Sequence, residues 1–240
     1  MSQRLQSKRL ISAITVLAIS FSLSGCVYLR LLHFKNQLKS FDENVSVNTA
    51  DKLTFAFRNP VVRDSDFVFI SGANPDKIER PPQSSDVEVW TWTFEKRLGY
   101  PEDKPYRMEF KTRFEEGLLT QMEIDESFAK LVGNELILSL FRKLANAKIN
   151  KLRRSMSAEL NERSLREMSL PSLSEIIDEM GEPTRILKPQ SLKNARFEYE
   201  FNFLDPKSGK NAGQFRLYFA GHLENPEFEI TSFRITGKAR

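Results

Sequence analysis

The chain has 240 residues, of which 40% are hydrophobic and 28% charged, with 11 prolines and 10 glycines; this composition supports a sizeable folded core and excludes a disordered or collagen-like chain. Arg4, Lys8 and Arg9 are three of the 36 basic residues and none of the 32 acidic ones lies before residue 26, so the net charge of +4 falls to +1 for the remainder and argues against a nucleic-acid partner. One cysteine, Cys26, and two histidines, His33 and His222, exclude an intramolecular disulfide and a multi-cysteine zinc site, and no cofactor is expected.

Residues 1–9 are short and basic, and the apolar stretch LISAITVLAISFSL follows from Leu10 to Leu23. A spanning helix needs about 20 apolar residues, so this length suits the core of an export signal better. The stretch ends in Leu23-Ser24-Gly25-Cys26, which resembles the lipobox of bacterial lipoproteins. The resemblance implies that residues 1–25 are a signal peptide cut between Gly25 and Cys26. It also implies a diacylglycerol on the Cys26 thiol and acylation of the new amine, giving more acyl chains than stable anchoring requires. Val27 in place of an aspartate at the next position resembles outer-membrane cargo facing the periplasm, with the inner membrane as the alternative.

Residues 26–44 form the lipidated N-terminus and an amphipathic helical linker, with Leu31, Phe34, Leu38 and Phe41 at helical spacing and Arg30, Lys35 and Lys39 among them. Two readings fit: a helix lying on phospholipid headgroups, or one packing its stripe on the following domain. Residues 45–126 read as a first α+β unit. Leu53, Phe55 and Phe57 alternate as in a strand, DFVFISG reads as strand rather than helix, and Trp90, Trp92 and Phe94 share one parity. Met108, Phe110, Thr112 and Phe114 share another, and Glu115-Glu116-Gly117 turns into a strand carrying Leu118, Met122 and Ile124.

Residues 127–168 are expected to be a helical connector. Its helix runs from Ser127 to about Arg154 and ends in Lys148, Lys151, Arg153 and Arg154, which suit a helix C-terminus or, alternatively, a phosphate or lipid headgroup. The polar stretch Ser155 to Met168 is expected to continue as helix. Residues 169–240 read as a second α+β unit: a capping box, Ser172 to Glu175, opens a helix that stops at Gly181 with Pro183 beyond. Three strands follow, with Phe197, Tyr199, Phe201 and Phe203 in the first and Phe215, Leu217 and Phe219 in the second. The third shifts parity from Phe228 and Ile230 to Phe233 and Ile235, which predicts a bulge near Thr231-Ser232.

The halves match in spacing: Pro75 and Pro183 lie 108 residues apart, Phe110 and Leu217 lie 107 apart, and Met122 and Ile230 lie 108 apart. The fold class expected is therefore α+β, with two αβββ-like units built on three-stranded antiparallel meanders. A lipobox, a short helix with a Gly-x-Pro exit in EIIDEMGEP, and a three-stranded meander together resemble the BamE (SmpA/OmlA) lipoproteins, whose fold is shared with tandem β-lactamase-inhibitor proteins. The resemblance covers Ser172 to Thr236 and, more loosely, Asp64 to Asp125. It implies a protein-binding sheet facing the periplasm and carries over no individual binding residue.

No nucleophile sits beside a base in the sequence: Cys26 is taken by lipid, and His222 stands in Gly221-His222-Leu223 with no serine or aspartate motif. Asp64, Asp66 and Asp103 are read as solvated turn acids rather than cation ligands. The sequon at Asn44 has no meaning without a glycosylation system. Trp90, Trp92, Tyr199 and Phe201 are either core or an exposed partner site. The expectation is a non-enzymatic, membrane-anchored lipoprotein that binds or scaffolds envelope or outer-membrane assembly proteins. The alternative is a carrier or sensor of a small lipidic ligand.

Overall fold

The computed structural model describes residues 27–100, 102–146, 148–150, 155–160, 162–165, 168, 170–187, 195–221 and 232–239. The first half runs through helix α1 (27–39), the single turn α2 (Phe41–Asn44), hairpin strands β1 (Val45–Asn48) and β2 (Thr54–Phe57), and helix α3 (Asp64–Ser71). The short β3 (Lys77–Glu79) then leads to the meander β4 (Val87–Lys96), β5 (Arg107–Glu115) and β6 (Leu118–Glu123). Helices α4 (Glu126–Val132) and α5 (Asn134–Leu144) lead to β7 (Lys148–Asn150), β8 (Ser155–Leu160), α6 (Glu162–Leu165) and α7 (Leu173–Met180). Finally come β9 (Arg185–Leu187), β10 (Ala195–Leu204), β11 (Asn211–Gly221) and β12 (Ser232–Ala239).

The protein is α+β, and its strands form one 12-stranded antiparallel sheet in the order β1-β2-β6-β5-β4-β10-β11-β12-β8-β7. The strands β4 and β10 meet at the centre, where Phe94, Glu95 and Lys96 pair with Phe203, Asn202 and Phe201. On either side of this short seam, β3 continues along β4 and β9 along β10. Period-two alternation explains the long strands: Phe197, Tyr199, Phe201 and Phe203 of β10 are buried on the helix-bearing face, opposite Phe219, Leu217 and Phe215 of β11. The turn between β5 and β6 places Glu116 at φ 51° and Gly117 at φ 73°, the left-handed pair that a tight hairpin demands.

Helix α5 packs on β8, near one end of the sheet, and stacks Phe141 on Phe55 of β2, near the other, with ring centroids 4.0 Å apart. The sheet therefore curls around α5, and the enclosed side chains form one continuous core. Helix α7 begins with the expected capping box: Ser172 Oγ accepts the Glu175 N–H at 3.2 Å, and Glu175 Oε2 accepts the Ser172 N–H at 2.7 Å.

Three expectations are corrected. DFVFISG is helix, because Asp66 in its first turn accepts the Arg63 N–H at 2.9 Å and Gly72 closes it at φ 73°; tertiary packing of Phe67 on Trp92 and Phe114 overrides the strand propensity of the run. The helix expected to reach Arg154 ends at Leu144, and Lys148 belongs to a strand rather than a basic helix terminus. Ser155 to Leu160 is also strand, pairing along β12, so the stretch between the two meanders extends the sheet instead of serving only as a helical link. Residues 1–26, Lys151, Arg153, Arg154, His222, Phe228, Ile230 and Thr231 lie outside the described residues, and with them the expected signal peptide and the expected bulge.

Candidate functional site

The four aromatic positions singled out by the sequence lie in the core: Trp90, Trp92, Tyr199 and Phe201 are 6, 2, 0 and 0% exposed. Their polar atoms are engaged internally. Trp90 Nε1 donates to Glu88 at 2.8 Å, Trp92 Nε1 to Thr112 Oγ1 at 3.1 Å, and Tyr199 Oη to the Gly181 carbonyl at 3.0 Å. In this conformation they offer no surface to a partner. Phe94, Phe110 and Phe215 keep partial exposure, with Phe94 contacting both of the others at the β4–β10 seam.

The turn acids also sit differently from expectation. Asp66 is fully buried and receives both arms of Arg30, Nε at 2.7 Å and an Nη at 2.6 Å, which ties α1 to α3. Asp103 is buried against Lys96, whose Nζ donates to it at 2.9 Å and to the carbonyls of Met180 and Glu182 at 2.7 and 3.1 Å. Burial pushes the Asp103 carboxyl up, but the bonds from Lys96, Gly99 N–H and Glu182 N–H outweigh it and hold it below the usual aspartate range. Both acids are thus structural ties. Asp64 remains in the first turn of α3, where a carboxylate suits the helix dipole.

The solvent side of the sheet carries a charged array that the sequence reading missed. On β10 the residues between the buried aromatics are Arg196, Glu198, Glu200 and Asn202, and pairing with β11 sets Glu200 opposite Arg216 and Glu198 opposite Tyr218. Glu200 is fully buried beneath three arginines from three different segments. Arg97, just beyond β4, reaches its Oε1 at 3.1 Å; Arg216 of β11 reaches Oε2 at 3.0 Å; and Arg185 of β9 stands 3.8 Å away. Gln214 donates a further bond to Glu200 at 2.9 Å. Arg216 also comes within 3.4 Å of Glu198. Burial opposes the charge on Arg216, but Tyr218, Glu200 and Glu198 outweigh it and raise its pKa.

A guanidinium has five donors in a fixed fork, and a buried carboxylate engages only some of them. Two buried carboxylates under three partly exposed arginines therefore hold cationic donors in place at the surface. On the neighbouring strands, Lys111, Arg113, Gln121 and Glu123 rim a shallow depression above Val89. Such a surface is chemically suited to recognising carboxylates, backbone carbonyls or other anionic groups on a partner. His33 is exposed on α1, and among the described residues no group of three His, Cys, Asp or Glu side chains is placed to hold a metal ion. No described helix is long and apolar enough to cross a membrane. No protein-family model, curated protein or solved structure matches the chain.

Proposed function

We propose that the chain is a lipoprotein tethered at Cys26 to the periplasmic face of the bacterial outer membrane, where it acts as a non-catalytic binding or scaffolding factor for envelope proteins. The address rests on the lipobox at Leu23 to Cys26 and on Val27 after it. The binding role rests on one observation above all: the Arg97–Arg185–Arg216 array, held from beneath by Glu198 and Glu200 on a broad sheet face. Donors fixed in advance lose little freedom on meeting a partner, which is the condition for specific recognition by a polar surface.

The fold belongs, in this reading, to two related units joined edge to edge, in keeping with the resemblance to the BamE lipoproteins. The support is positional. From one half to the other, α3 to α7 is offset by 109 residues at both ends, and β3 to β9 and β4 to β10 by 108 at their first residues. The repeat also reaches further back than a helix and a meander: hairpin β1–β2 flanks β6 as hairpin β7–β8 flanks β12.

A photo-reactive amino acid at Thr93, Gln214 or Lys111 tests the binding role in living cells, with buried Trp92 as the control position. The expected result is a discrete protein adduct from the solvent-facing positions alone. Adducts no stronger than those from position 92 would defeat the protein-binding reading. A second reading, a carrier of a small lipidic ligand, has the half-buried cluster of Phe94, Phe110 and Phe215 in its favour. Copurified lipid lost in Phe94→Ala, with no protein adduct, would favour it.

A further inference from the structure

Helix α1 has two faces with opposite tasks. One is fastened to the body: Arg30 forks onto buried Asp66, Tyr28 meets Phe69 edge-on at 6.1 Å, Phe34 meets Phe57 at 5.3 Å, and Gln37 Nε2 donates to the Asn59 carbonyl at 2.8 Å. The other holds Leu29, Leu32, His33 and Asn36, which fall within one face at 100° per residue and are all exposed. Leu29 and Leu32 are 59 and 53% exposed, the two highest values among the large apolar side chains exposed in the described residues. They stand at the end of the helix nearest Cys26, whereas His33, Asn36 and Lys39 follow further along the exposed side.

We propose that Leu29 and Leu32 enter the same bilayer leaflet as the acyl chains of Cys26, so that α1 rather than a slack tether sets how the body sits on the membrane. This rests on the lipid-anchor reading. Leu29 lies three positions beyond Cys26, and a chain of that length spans at most about 11 Å even when fully extended. One helical turn further brings only about 5 Å of additional rise. An anchored Cys26 therefore keeps both leucines within reach of the depth where headgroups meet acyl chains, and apolar side chains on an interfacial helix are stabilised there. Lys39 on the exposed side is suited to lipid phosphate.

The attachment on the opposite side of α1 turns that contact into an orientation. Phe34 packs on Phe57, whose partner Val45 and neighbour Phe55 lie in the core, so α1 covers the helix-bearing side of the sheet. The solvent face of β5 and β6, with Lys111 and Gln121, then points away from the bilayer and toward the periplasm.

Cys26 is the sole cysteine and its sulfur would be consumed as a thioether, so a cysteine introduced elsewhere is the only free thiol for labelling. The lipidated full-length protein carrying Leu29→Cys, Leu32→Cys, Lys111→Cys or Gln121→Cys is labelled with an environment-sensitive fluorophore. It is then placed in phosphatidylethanolamine–phosphatidylglycerol vesicles whose acyl chains carry bromine. Fluorescence is expected to fall about two-fold at positions 29 and 32 and to hold at 111 and 121, since only interfacial groups reach the brominated depth. Equal signals at all four positions, on vesicle-bound protein whose mass includes the diacylglycerol, would overturn the orientation and leave the anchor standing. A free thiol at Cys26 and no vesicle binding would overturn both.

Discussion

Lys96, at the end of β4, donates through one ammonium group to the Asp103 carboxylate and to the two carbonyls at the end of α7, so a residue of the first meander caps a helix of the second half. Lys96 and Asp103 are both buried, and neither charge has water to fall back on. Replacing Lys96 with Met leaves an uncompensated carboxylate and is expected to cost about 3–5 kcal/mol, read from the urea midpoint. Adding Asp103→Leu removes the stranded charge, and the double-mutant cycle is expected to give a coupling of about 1–3 kcal/mol. Additive effects would show that the pair does not act as a unit.

Stability is expected to fall on both sides of neutrality, for different groups. Asp103 is held low by its donors despite burial, Glu175 by the Ser172 N–H, and Asp205, at about 2, chiefly by the Ser208 hydroxyl. Carboxyls lowered in the native state contribute fully above their unfolded values, and that contribution is lost as pH falls from about 5 to 2. Burial raises Tyr106 to about 12 and pushes Tyr199 up as well. The unfolded chain then releases those protons first, so stability is lost as pH rises above about 10. Thermal unfolding across the range checks both limbs, and Asp103→Asn should flatten the acid one.

Two glycines at positive φ should respond differently to alanine. Gly181 closes α7 at φ 76° and ψ −171°, a region essentially reserved for glycine, and an added Cβ would stand 2.7 Å from both Asp103 Oδ1 and Lys96 Nζ. Gly181→Ala is expected to cost about 2–4 kcal/mol. Gly209, at φ 63°, has nothing within 4 Å of the added carbon, and its replacement should cost only about 1 kcal/mol. Chemical denaturation of the two variants side by side measures the contrast.

Period-two patterns made most of the sheet readable from the chain. Trp90, Trp92 and Phe94 announced β4, and Phe215, Leu217 and Phe219 announced β11; the Ser172–Glu175 pair located α7. The errors share one cause, a conflict between local propensity and long-range pairing. Helix-favouring residues fill Ser155 to Leu160, yet Met156, Ala158 and Leu160 alternate, and the buried Ala158 and Leu160 reveal the strand they form against β12. In DFVFISG the conflict ran the other way, with strand-favouring phenylalanines inside a capped helix. Asp66 and Asp103 looked like turn acids because what buries them is remote: Arg30 lies 36 positions from Asp66, and although Lys96 is only seven from Asp103, the Glu182 N–H that Asp103 also accepts lies 79 positions away. The arginine array was invisible for the same reason, since Arg97, Arg185 and Arg216 meet only after β4, β9 and β11 come together around β10.

Among the described residues the sheet ends at β1, with four residues, on one side and at β7, with three, on the other. A long, flat outer strand would recruit copies of itself through unsatisfied backbone groups, and a twelve-stranded sheet is wide enough to seed such polymerisation. Stubby margins deny an incoming strand the length it would need to register. Short margins of this kind leave little template for edge-to-edge pairing between copies.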